Sequence, residues 1–306
     1  MARHGLAPAE PLHVWIGVVA TALSAILAST GAPAAAAQPA DPIALQARSG
    51  PLRVIAPVGA ARAATLARVI RAARIDEPFP GLPRDALGRA GITISLALRV
   101  RDDREAWTSA DDGLIVLRLA DAEAWPGDKL RRVVRHELAH VGLARALGFA
   151  KLPRWLSEGY SEWVSGGVSC EGEVRLHVYL RVPRTAEGAG SGGEPFTDIS
   201  DPRVAYDAYA SFFDYLETTS NAGVSDGRFF ANVRAHGVLR GVIQTFGIDL
   251  PALERQWREY AQRRYANALN TAGPVCQERT DPRFGASTRQ DTRYQLPPIQ
   301  ARGFRR

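Results

Sequence analysis

Apolar residues recur at helical spacing from Asp128 to Leu147, where Leu130, Val133, Val134, Leu138, Val141 and Leu147 share one side of the chain. No proline interrupts this run; Pro126 precedes it and Pro153 follows it. Asp128 is the expected N-cap and Gly148 the expected C-cap. The turn from Gly148 to Pro153 leads into a second, shorter helix expected over Trp155 to Trp163. Upstream the period changes to two. Ile92, Ile94, Leu96, Leu98 and Val100 alternate with other residues and predict a half-buried strand. Leu52 to Ala56 reads as a short strand, Ala60 to Ala73 as an Ala/Arg-rich helix, and Gly113 to Leu119 as a strand after the Asp111-Asp112-Gly113 turn. Downstream, Glu173 to Val182 reads as a hairpin strand carrying a partly exposed His177. His236 ends a helical segment, where it is expected as a partner of the helix dipole or a surface residue. Leu250 to Tyr265 is an amphipathic helix packing through Leu253, Trp257 and Tyr260. Strands and helices first, then mostly helices, predict an α+β fold.

Composition adds a leader and removes one class of partner. The chain has 306 residues, 46% of them hydrophobic, enough to bury a sizeable core. Its start is weakly basic at Arg3 and His4, with an apolar run from Val14 to Ala28 and a small-residue stretch, Ala34 to Ala37, before Gln38. Residues 1–37 therefore read as a signal peptide, which predicts a periplasmic or secreted protein without a stable membrane span. The alternative is an uncleaved anchor, although the run is shorter than the roughly 20 residues a span prefers. Export permits a disulfide between Cys170 and Cys276, closing a long loop for about 4 kcal/mol; two unpaired thiols are the alternative. The net charge of +6 is carried almost wholly by scattered arginines, with no basic stripe interleaved with aromatics, which argues against nucleic acid as a partner. Residues 50–270 form the expected folded domain, divided at 147/148, with a Gly/Ser-rich surface loop at Gly188 to Gly193 and a loosely ordered basic tail over 277–306.

The long helix carries His136-Glu137-Leu138-Ala139-His140. Residues four apart on a helix stack one turn from each other, so His136 and His140 can hold one metal ion side by side. Glu137 lies roughly 100° round the helix, within reach of a water on that metal. Catalytic zinc usually takes three protein ligands. A second helix folding back after the Gly148–Pro153 turn can place Glu158 opposite the histidines. Glu162, one turn further, can then accept a hydrogen bond from a ligand imidazole.

His-Glu-x-x-His followed by Trp155-Leu156-Ser157-Glu158-Gly159 resembles the gluzincin metallopeptidases of the thermolysin and aminopeptidase N type, and most closely the small bacterial peptidase MA-like proteins. The resemblance covers roughly Leu114 to Tyr265, with its specific residues in three short segments. It implies a small zincin-like domain: an N-terminal mixed sheet and active-site helix, then a mostly helical part. It implies Zn2+ held by His136, His140 and Glu158, with Glu137 as general base and Glu162 behind the ligands. The separation from His140 to Glu158 is slightly shorter than in better-known members. The resemblance also implies an oxyanion-supporting tyrosine at the head of a later helix, matched best by Tyr206, with Tyr209 as the alternative. It makes the strand before the metal helix, Leu114 to Leu117, the edge strand to which a peptide adds.

The expected activity is hydrolysis of a peptide or protein substrate by metal-activated water. The aminopeptidase branch holds its substrate's free amine with a motif containing an internal methionine. This chain has one Met, the initiator, so an endopeptidase is favoured over an aminopeptidase. Two alternatives remain at this level: a zinc-stabilised envelope binding protein without proteolysis, and a non-peptide hydrolase on the same scaffold.

Overall fold

The computed structural model describes residues 17–18, 44–57, 59, 62–88, 91–100, 105–148, 151–182, 195–219 and 224–268. Most of the expected leader, the Gly188–Gly193 loop, Cys276 and the 277–306 tail lie outside the described residues. Five strands form the body of a mixed sheet: β2 (Ala44–Ser49), β3 (Leu52–Pro57), β4 (Ile92–Ala97), β5 (Ala106–Ser109) and β6 (Leu114–Arg118). A two-residue pairing, β1 (Gly17–Val18), lies against β2. The order is β1-β2-β3-β4-β6-β5, with β3, β4 and β6 mutually parallel, β2 and β5 antiparallel to them, and β1 antiparallel to β2. Helices dominate after the sheet, giving the α+β fold.

Alternation in β3 and β4 puts Leu52, Val54, Ile92, Ile94 and Leu96 on the buried face, each 2% exposed or less. Burying such a side chain stabilises the fold by about 1.5–3 kcal/mol. The helices α1 (Arg62–Ala73) and α3 (Gly127–Leu147) pack together, α1 lies on β2 and β3, and α3 reaches β5; between them in sequence is the short α2 (Leu119–Ala124). Arg135 anchors α3 from its far side. Its guanidinium donates to the carbonyls of Arg74 and Glu77 and stacks over the Phe79 ring, and burial lowers its pKa.

After α3 come α4 (Arg154–Ser165), α5 (Cys170–Arg181), α6 (Pro202–Thr219), α7 (Arg228–His236), α8 (Val238–Phe246) and α9 (Leu250–Arg264). Gly148 closes α3 in the left-handed region at φ 83°, where a glycine C-cap costs least. Helices α4 and α6 approach closely at Gly159. A Cβ there would sit 2.9 Å from the Cβ and carbonyl oxygen of Tyr209. Trp155, Tyr160, Phe212 and Phe213 fill this contact with edge-on aromatic pairs.

Five sequence expectations are corrected. Glu173 to Val182 is not a strand but most of α5. Val174, Leu176, Val178, Leu180 and Val182 do alternate, yet the Ser169 side chain caps a helix by accepting from the Gly172 amide. Leu176 and Leu180, four apart, are buried, while Val178 and Val182 face solvent. His177 is accordingly buried rather than partly exposed. Leu114 to Leu117 is not the sheet edge, because Ala106–Ser109 folds back antiparallel to cover it and becomes the edge. The strand from Ile92 stops at Ala97, paired with Arg118, and Leu98 is 68% exposed beyond the ladder. Finally, α3 begins before Asp128. The Leu130 amide donates to the Pro126 carbonyl, so Asp128 sits in the first turn and complements the helix dipole without capping.

Candidate metal centre

The 3.6-residue period of α3 places His136 and His140 one above the other, their ring centroids 4.8 Å apart. Their Nε2 atoms face each other at 3.1 Å. Helix α4 delivers Glu158 to the same point, its Oε2 3.4 Å from each Nε2. These donor atoms all lie within 4.8 Å of one another. Tetrahedral zinc with bonds of about 2.0–2.2 Å requires ligand atoms roughly 3.3–3.5 Å apart. The observed triangle is of that size.

The outward nitrogens explain the inward ones. His136 Nδ1 faces Glu162 Oε1 at 3.4 Å. His140 Nδ1 faces Ser157 Oγ at 2.9 Å and Ser161 Oγ at 3.2 Å. With each Nδ1–H donating outward, both Nε2 lone pairs point at the Glu158 carboxylate. Three acceptors converging at about 3 Å repel unless a cation or a proton lies between them. Burial opposes protonation of His136, but Glu158, Glu162 and Glu137 outweigh it and raise its pKa. Burial pushes Glu158 up, yet the hydrogen bonds and positive charge of the two imidazoles hold it well below the usual carboxylate range.

The outer support has several members. Glu162 takes a second partner, Arg132 Nη2 at 3.0 Å, and the same guanidinium donates to the Gly167 carbonyl at 3.0 Å. Glu137 turns the other way round α3, where Thr108 Oγ1 on β5 donates to its Oε2. The general-base candidate is therefore tied to the edge strand. Tyr206, in the first part of α6, stands near Glu158. Burial and that negative charge raise its pKa against the opposing pull of Arg154. Arg154 Nη2 donates to the Tyr206 hydroxyl at 3.0 Å and leaves its O–H proton free to point elsewhere. Tyr209 is 9% exposed and packs at the α4–α6 contact, with Phe196 edge-on to its ring. Tyr206 thus lies close enough to Glu158 to feel its charge, and Tyr209 packs against Gly159, the next residue in α4.

His177 is remote from this chemistry. Its Nδ1 pairs with the Tyr265 carbonyl at 2.7 Å, and it belongs to the contact between α5 and the end of α9. His236 ends α7 and is exposed. Cys170 opens α5 and is disulfide-bonded; Cys276 lies outside the described residues.

Five functional candidates escaped the sequence reading. Arg132 lies four residues before His136 and on its face, and Ser157 and Ser161 lie four apart in α4 beside the glutamates. Helical spacing alone could have flagged those three. Thr108 and Arg154 meet their partners across 29 and 52 residues, with no local signal. No model of a known protein family matches the chain, and no curated protein matches it. The resemblance to gluzincins accordingly rests on the motif residues themselves.

Proposed function

We propose that this protein is an exported zinc-dependent peptidase, an endopeptidase rather than an aminopeptidase. The observation carrying this reading is the convergence of His136 Nε2, His140 Nε2 and Glu158 Oε2 at zinc-ligand spacing, with Glu137 on the same helix and its carboxylate held by Thr108. His136, His140 and Glu158 would hold the metal, leaving the fourth position to water as catalytic zinc sites do. Bound zinc lowers the pKa of that water toward 7 and polarises the scissile carbonyl. Glu137 is the proton acceptor for the water and passes that proton to the leaving amine. Thr108 fixes one of its carboxylate oxygens and leaves the other for the proton. Tyr206 donates its hydroxyl proton to the oxygen on which negative charge develops, a contribution of about 3–4 kcal/mol when such a donor is well placed. β5, the outer strand of the sheet among the described residues, would offer its unpaired main-chain edge there to an extended peptide.

Metal analysis and cleavage of casein or a fluorogenic peptide library test the reading. The expected result is stoichiometric zinc and hydrolysis that phenanthroline abolishes and added zinc restores. Glu137→Gln should keep zinc and lose hydrolysis by several orders of magnitude. Unimpaired hydrolysis by Glu137→Gln would refute the mechanism, and zinc without hydrolysis in the wild type would favour a binding protein.

A further inference from the structure

The face of the molecule formed by α7 and α8 has chemistry that the metal centre does not use. The two helices form a tight hairpin around Gly237. It closes where Gly241 meets Val233, a Cβ at Gly241 falling 2.7 Å from the Val233 main chain. Asn232 Nδ2 donates to Thr245 Oγ1 at 3.0 Å across the pair. Phe229, Phe230, Val233 and Val242 point inward and are buried, Phe230 edge-on to Tyr160 of α4. The outward side of α8 is also apolar. Leu239 is 57% exposed and Ile243, one turn on, is 46% exposed.

The charge carried by the hairpin itself has one sign, with Asp226 and Asp249 flanking it in sequence. From Arg228 to Ile248 the chain carries Arg228, Arg234, His236 and Arg240 and no acidic residue. Arg228 pairs with Asp226 at 2.6 Å. Arg234, His236 and Arg240 are exposed and make no ion pair among the described residues.

We propose that the α7–α8 hairpin docks this protein onto an anionic lipid surface, with Leu239 and Ile243 in the headgroup–acyl boundary and Arg234 and Arg240 on lipid phosphates. A second copy of the chain is a poor occupant, since a two-fold contact would bring the same cations against each other. The stripe is also small beside the roughly 800 Å² per partner of a stable protein interface. A lipid surface has no such minimum. It takes single apolar side chains beside arginines whose stems lie along the apolar layer. The hairpin packs on α3, so docking would hold the metal centre at a set orientation to the membrane. This proposal does not depend on the peptidase reading.

Co-sedimentation of the full chain with phosphatidylcholine vesicles, with and without phosphatidylglycerol, tests it. The N-terminal apolar run is common to every arm, so differences between variants report the hairpin. The expected result is binding that rises with phosphatidylglycerol and falls at high salt. Arg234→Gln and Arg240→Gln should each weaken it about fivefold. Leu239→Gln/Ile243→Gln should weaken it further with an unchanged melting temperature, since both sites are exposed. Wild-type binding that ignores phosphatidylglycerol, no binding at all, or equal binding by wild type and all variants would overturn the proposal. Self-association lost in the Leu239→Gln/Ile243→Gln variant without vesicle binding would assign the face to a second copy instead.

Discussion

Removing the Glu162 carboxylate should weaken metal binding more than removing either serine behind the other imidazole. Glu162 is the only described group facing His136 Nδ1, at 3.4 Å, and Arg132 holds its second oxygen at 3.0 Å. Glu162→Ala therefore leaves the His136 tautomer unset, the ring free to turn, and the Arg132 guanidinium with the Gly167 carbonyl as its remaining hydrogen-bond partner among the described residues. Loss of such outer support typically costs about 10–100-fold in metal affinity, or about 1.4–2.7 kcal/mol. His140 is buffered by two hydroxyls, Ser157 at 2.9 Å and Ser161 at 3.2 Å. Ser157→Ala alone should cost about threefold or less, because Ser161 remains to accept, and only Ser157→Ala/Ser161→Ala should approach the Glu162→Ala loss. Competition for zinc against a chromophoric chelator measures all four proteins on one scale. Glu162→Ala binding zinc as tightly as wild type would refute the reasoning, as would Ser157→Ala losing more than Glu162→Ala.

Thr108→Val should slow hydrolysis about tenfold while zinc content holds, and Thr108→Ser should restore it, because the donor to Glu137 is a hydroxyl; a slow Thr108→Ser protein would place the effect in β5 packing instead. Gly159→Ala should destabilise the protein by about 1–3 kcal/mol in denaturant unfolding, since its Cβ meets Tyr209 main chain at 2.9 Å and Phe213 at 3.0 Å; an unchanged midpoint would show that α4 and α6 can separate freely. Burial and the Asp198 hydrogen bond, against Arg258, push the Tyr179 phenol up to about 12. A raised phenol contributes stability that is fully present below its unfolded pKa near 10 and is lost as pH rises through about 12. Tyrosinate absorbance should therefore lag the model-compound curve, and unfolding midpoints should fall between those pH values in wild type more than in Tyr179→Phe.

How much of the site was legible depended on sequence distance. His136, Glu137 and His140 share one helix whose apolar period runs through them, so their relative directions follow from 3.6 residues per turn. Glu158 and Glu162 lie on the next helix at the same four-residue spacing, and the turn from α3 to α4 begins at Gly148 in the left-handed region. Hydrophobic burial alone misassigned α5. The segment Val174 to Val182 satisfies a period of two as well as Leu176 and Leu180 satisfy a helix, and an N-cap hydrogen bond from the Gly172 amide to Ser169 Oγ, with the packing of α9, resolves the tie. The order of the last two strands had no sequence signature. β5 is four residues long and reaches the edge only by pairing back onto β6.

The sequence by itself determined the local chemistry of this protein: two imidazoles on one helical face with a carboxylate about 100° round the same helix, an acidic pair after a turn, and α+β patterning around them. Those features depend on backbone periodicity, which acts between neighbours. Tertiary structure alone decided that Thr108 holds Glu137, that Arg154 holds Tyr206, that β5 rather than β6 is the outer strand among the described residues, and that Leu239 and Ile243 are exposed. Each of these is set by which distant surfaces pack against each other, and that depends on the burial and close packing of the whole core rather than on any one segment's pattern.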